Sequence, residues 1–138
     1  MSDTAQAPPR SGVTIRSAAP TFLVADVANT ARWYETNLGF ATAGAVPSQE
    51  PHVFASLQLG QAEIMLLALA DYEKPDLRAR RPSGLWDAYI RVDGVHTLFE
   101  RFAGKPFIQE GITHRPYGDW EFEVRDPNGY VLVFGGTY

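Results

Sequence analysis

No cysteine occurs in this chain, which excludes a disulfide framework, a thiolate metal site and a cysteine nucleophile. A dense basic stretch is also missing. The nearest is Arg78, Arg80 and Arg81, and 12 basic against 16 acidic residues leave a net charge of -4. A phosphate-backbone binder needs the opposite balance, so no nucleic-acid partner is expected. No apolar run approaches the roughly 18 residues of a membrane span, and Ile64 to Ala70 is the longest. No partner membrane is expected. The start, Met1 to Gly12, has no basic cluster leading into an apolar core and does not read as a secretory signal. A cytoplasmic protein is the expectation. Phosphate loops with Lys-Ser/Thr, Gly-x-Ser-x-Gly elbows and His-Glu-x-x-His pairs are all absent, so nucleotide and serine-type hydrolysis find no support.

What is present is an internal echo. Asp26 and Asp93 each close an apolar run, and Phe40 and Phe107 follow at the same offset. The hydrophobic fraction of 45% over 138 residues suffices for one globular domain with its own core. Residues 1–14 read as a flexible N-terminal arm and 15–138 as one domain. That domain holds two modules, at about 15–70 and 85–136, joined by the charged, proline-containing linker 71–84.

Within each module the pattern predicts strand, helix, then three strands. Ile15 to Ala25 is strand-like, with Pro20 implying an edge or a bulge. Val27, Ala31, Tyr34 and Leu38 share a helical face, and Gly39 supplies the stop. Strands follow over Phe40–Val46, Val53–Leu59 and Ala62–Leu69, the last two joined at Gly60-Gln61. The second module repeats this with strand Trp86–Val92, helix Gly94–Ala103, and strands from Phe107, over Trp120–Arg125 and over Tyr130–Phe134. Asp126-Pro-Asn-Gly129 joins the last two as a turn. Asp26 and Asp93, equivalent in the repeat, are expected to cap their helices rather than act as paired acids. A single βαβββ unit leaves an apolar sheet face bare and needs a second unit to cover it.

The order and spacing of Val24-Ala-Asp26, Arg32-Trp-Tyr34, Leu38-Gly-Phe40, Val92-Asp93 and Val124 through Val131 resemble the glyoxalase, bleomycin-resistance and extradiol-dioxygenase superfamily, the vicinal oxygen chelate fold. The resemblance spans about residues 17 to 136. It implies an α+β fold in which two βαβββ modules form curled mixed sheets around a cavity. Enzymatic members hold a divalent metal between the modules. Carried onto this chain, the ligand positions fall at Ala19, Trp86 and Val133, with Glu63 near the fourth. Ala, Trp and Val offer a hard cation nothing, and one carboxylate is too few. No metal and no cofactor are therefore expected, and the chain looks closest to the metal-free bleomycin-resistance branch.

On that resemblance the expected function is sequestration of a planar or cationic toxin or antibiotic without chemistry, in a homodimer. The alternative is a glyoxalase-like lyase or isomerase with an atypical or absent metal site, built on Glu63 with His52 or His114 or on metal-free proton transfer. No catalytic residue is assigned. The expected ligand-binding set is Phe54, Glu63, Met65, Trp86, His114, Tyr117, Trp120 and Phe122. Trp86, Trp120 and Phe122 would stack on a flat ligand, and Glu63 would pair with a cation if its register turns it inward. Trp33 and Tyr34 read as structural, and His96 as a surface or cap residue of its helix.

Overall fold

The computed structural model describes residues 12–138. Its elements run β1 (Thr21–Val24), α1 (Val27–Leu38), β2 (Ala41–Val46), β3 (Phe54–Leu59), β4 (Ala62–Ala68), β5 (Ala88–Arg91), α2 (Val95–Phe102), β6 (Ile108–His114), β7 (Trp120–Arg125) and β8 (Val131–Gly136). Most of the arm expected over residues 1–14 lies outside the described residues, which begin at Gly12. The first strand is shorter than Ile15–Ala25 and starts after Pro20, whose carbonyl still accepts from Met65 N at 2.9 Å.

Local chemistry sets the ends of the first helix. Asp26 Oδ1 accepts the Asn29 amide at 3.0 Å, and Gly39 turns left-handed at φ 84° to close it. Asp93 does not repeat the role of Asp26. The position before α2 is Gly94, at φ 79°, and no side chain caps the helix. The left-handed glycine makes the entry turn itself, and the expected capping by Asp93 is corrected accordingly.

The strands pair as β1-β4-β3-β2 and β5-β8-β7-β6, two separate four-stranded sheets. In each, the module's first strand runs parallel to its last, and the remaining pairs are antiparallel. The expectation of sheets curled around a cavity is overturned. Each sheet is open, neither bonds to the other, and four strands are too few to close on themselves. The modules instead turn their helix-bearing faces together. One core results, holding Phe22, Tyr34, Phe40 and Leu57 from the first module and Phe102, Phe122, Leu132 and Phe134 from the second. Each such side chain contributes about 1.5–3 kcal/mol by leaving water.

Polar links cross this joint. Tyr34 Oη donates to Asp126 Oδ2 at 2.7 Å, Asn128 Nδ2 donates to Thr30 Oγ1 at 3.0 Å, and Tyr130 Oη donates to the Leu23 carbonyl at 2.7 Å. Phe22 and Tyr130 stack with ring centres 4.1 Å apart. The second face of each sheet is left pointing outward.

Candidate functional site

Strand β7 alternates strictly. Trp120, Phe122 and Val124 face α2, and Glu121, Glu123 and Arg125 face the outside of the sheet. Register brings Glu121 opposite Gly135 and Glu123 opposite Val133. On the far side of β8, Tyr89 lies beside Val133 and Arg91 beside Gly135. The outer face of the second sheet therefore carries carboxylates, guanidinium groups and the Tyr89 ring.

Glu121 is fully buried on this face, although no apolar layer covers it. Its cover is a set of donors. Tyr89 Oη reaches Oε2 at 2.6 Å, the Tyr117 hydroxyl donates to the same oxygen, and Arg115 Nε donates to Oε1 at 2.9 Å. Glu123 accepts the Trp86 indole N–H at 2.9 Å and the Gln109 amide at 2.8 Å. Arg115 also bonds Glu110 and stands 3.9 Å from Glu123. Arg91 pairs with Asp119 at 2.9 Å. Four carboxylates (Glu110, Asp119, Glu121, Glu123) thus face three guanidinium groups (Arg91, Arg115, Arg125), leaving the face one charge negative.

Burial alone would raise the Glu121 carboxyl, but the bonds from Tyr117, Tyr89 and Arg115 outweigh it and hold the group below the usual carboxylate range. The phenols move the other way. Partial burial and the neighbouring Glu121 carboxylate push Tyr117 up to about 12 and raise Tyr89 further still. Both tyrosines stay protonated donors at neutral pH. Linker residues fold over one side of the face and enclose a cavity of about 220 Å³, lined by Lys74, Asp76, Arg78, Gln109, Glu110 and Glu123 among others.

The expected ligand set falls into three places. Trp86 and Tyr117 come together on this face. Phe54, Glu63 and Met65 share the outer face of the first sheet, where Ser56 Oγ donates to Glu63 Oε2 at 2.7 Å. Phe122, Trp120 and His114 are on the helix side of the second sheet. Phe122 is fully buried and packs on Phe99, Phe102 and Phe134. Trp120 stacks on His114 at 4.4 Å and meets His96 edge-on at 4.8 Å. His52 Nδ1 lies 2.7 Å from the Pro47 carbonyl.

Sequence reasoning missed Tyr89, Gln109, Glu110, Arg115, Asp119, Glu121 and Glu123. The period-two carboxylates of Trp120-Glu-Phe-Glu-Val-Arg125 were the available signal.

The donor set does not suit a metal of the glyoxalase kind. Val133 is apolar and buried, the Trp86 nitrogen is an N–H donor already committed to Glu123, and Ala19 has no donor atom. Among the described residues no three His, Asp or Glu side chains converge so as to hold an ion.

The family model for the glyoxalase/bleomycin resistance protein/dioxygenase superfamily matches residues 16–134. The chain belongs to that superfamily. Among solved structures, this superfamily member is similar to TioX from Micromonospora sp. ML1, at 20% identity and TM-score 0.65 over 89% of this chain and 98% of that one. A bleomycin resistance determinant encoded on transposon Tn5 matches at 18% and 0.65, over 89% and 98%. The bleomycin-binding protein of Streptomyces verticillus, complexed with copper(II)-bleomycin, matches at 21% and 0.63, over 88% and 96%. At these identities the likeness shows a shared fold. The comparison with curated proteins found no match. No helix of the described residues is long and apolar enough to cross a membrane.

Proposed function

We propose that the protein binds a small, planar, cationic compound stoichiometrically on the outer face of the second sheet and holds it unchanged, as a bleomycin-resistance protein holds its antibiotic. The observation that carries this reading is Glu123, a nearly buried carboxylate set between the Trp86 indole and the linker cavity. It sits on a face with more acids than bases to balance them. A ligand cation supplies the missing charge, and Trp86, which is 39% exposed, supplies flat apolar area. The net charge of -4 steers basic compounds inward. The fold shared with a protein complexed with copper(II)-bleomycin supports the ligand class.

Calorimetric titration with bleomycin and a panel of planar basic antibiotics tests this. One-to-one binding is expected, and Glu123→Gln should weaken it about tenfold or more, the scale of a lost charged hydrogen bond. If no basic compound binds, or if the glutamine variant binds equally well, the reading fails.

A second copy of the chain belongs to the same reading. The outer face of the first sheet exposes Leu23, Leu67 and Val46 around Met65 and Phe54, an apolar surface unsuited to water. Light scattering should return the mass of two chains, and Leu67→Glu should return one. A wild-type monomer at micromolar concentration would remove the dimer from the reading.

A further inference from the structure

Tyr89 sits at the centre of the acidic face, and a gap in the neighbouring strand decides how. A Cβ on Gly135 would fall 2.1 Å from the Tyr89 hydroxyl and 3.0 Å from Glu121 Cγ. Only glycine at that position lets the phenol cross β8 and reach Glu121 at 2.6 Å and Asp119 at 3.2 Å. Its one proton goes to Glu121, the shorter contact, with Asp119 as the longer alternative acceptor, and this holds the hydroxyl end of the ring on the acidic face. The Trp86 ring lies 5.7 Å away, tilted by 53°.

The ring also carries a cation of the protein's own. The Arg91 guanidinium stands 5.1 Å from the ring centre. Its side chain is 76% exposed, whereas that of its partner Asp119 is only 17% exposed, so the pair is open to water on the arginine side. Tyr89 and Arg91 further line an open cleft of about 420 Å³ that reaches across to Glu63 and Asp87. A solvent-exposed guanidinium over this ring, beside a cleft, marks a place where another cation fits.

We propose that the Tyr89 ring is a cation-receiving platform, held in position by the gap at Gly135, and that Arg91 covers it in the free protein as a displaceable stand-in for the guanidinium or ammonium group of a ligand. This rests on the reading of the acidic face as the ligand site and adds which group of the ligand goes where. Removing Arg91 removes a competitor, so the variant should bind a cation more tightly than the wild type does.

The test is an NMR titration of the full chain with phenylguanidine, using neutral phenylurea as the control. Phenylguanidine is expected to bind Arg91→Ala about two- to fivefold more tightly than wild type, the scale of an exposed cation–π contact. The gain should vanish in Arg91→Ala/Tyr89→Leu, and phenylurea should leave the spectrum unchanged. A gain that survives in the double variant would be long-range charge relief, and it overturns the proposal. Binding that is lost in Glu123→Gln but indifferent to Arg91→Ala overturns the proposal alone and leaves the site reading standing. Failure of phenylguanidine to bind wild type and Arg91→Ala alike overturns both.

Discussion

Gly136→Ala is expected to destabilise the protein by about 3 kcal/mol or more, at the upper end of what overpacking costs. The added Cβ would lie 2.0 Å from the Val92 carbonyl oxygen and 3.2 Å from its carbon. Both are main-chain atoms at the end of β5, where Val92 N donates to the Gly135 carbonyl at 2.9 Å. A flexible side chain could move aside, but here the parallel β5–β8 pair itself must separate. Gly44→Ala is the matched control, because nothing lies within 4 Å of the Cβ it would add. Urea unfolding of the two variants measures the contrast. A Gly136→Ala midpoint as close to wild type as that of Gly44→Ala would disprove the steric account.

Asp126→Ala is the second large effect, expected at about 3 kcal/mol. The carboxylate accepts from Tyr34 Oη and from the amides of Asn128 at 2.8 Å and Tyr130 at 2.9 Å. Truncation strands a phenol with no exposed surface and undoes the turn that carries the second module onto α1. Tyr34→Phe loses one donor and should cost about 1–2 kcal/mol. A pH series separates the charge from the contacts. Burial raises the Asp126 carboxyl above the usual carboxylate range, against the pull of Tyr34 and the two amides. Between the ordinary value and the raised one, the native state binds the proton more readily than the unfolded chain does. Lowering the pH through that window therefore stabilises wild type relative to Asp126→Asn. Glu121 acts in the opposite sense, its contribution being present above the ordinary carboxylate value and lost as pH falls through its lowered one. Only the difference between wild type and Asp126→Asn isolates Asp126. A difference that is flat between pH 3 and 7 would refute the assignment.

The order of elements was legible because each signal was local. Asp26 and Gly39 bracket α1, Gly60 turns β3 into β4, and the Asp126–Gly129 turn sets β7 against β8. Whether the sheets curl depends on pairings between distant strands, and no short pattern encodes that. Strand β7 shows the same limit at the site. Alternation separated Trp120 and Phe122 from Glu121 and Glu123, but both sides of this strand are covered, one by helix α2 and the other by Tyr89, Tyr117 and Arg115. Periodicity tells two faces apart without saying which one turns toward the helix. Aromatics were expected to line a pocket, and in the fold Phe122 fills the core instead. Trp86 was picked out for stacking and Tyr117 as a ligand contact, whereas their polar partners proved to be Glu123 and Glu121.

Strand β8 lies between β5 and β7, and that placement has a consequence for synthesis. Its residues follow, in chain order, both of the strands they must join. Until they arrive, β5 has no neighbour and the β6–β7 hairpin has an open edge, so the second module can assemble only once β8 itself has been made. A stop codon anywhere before Val131 should leave a chain that aggregates through those two unfilled edges.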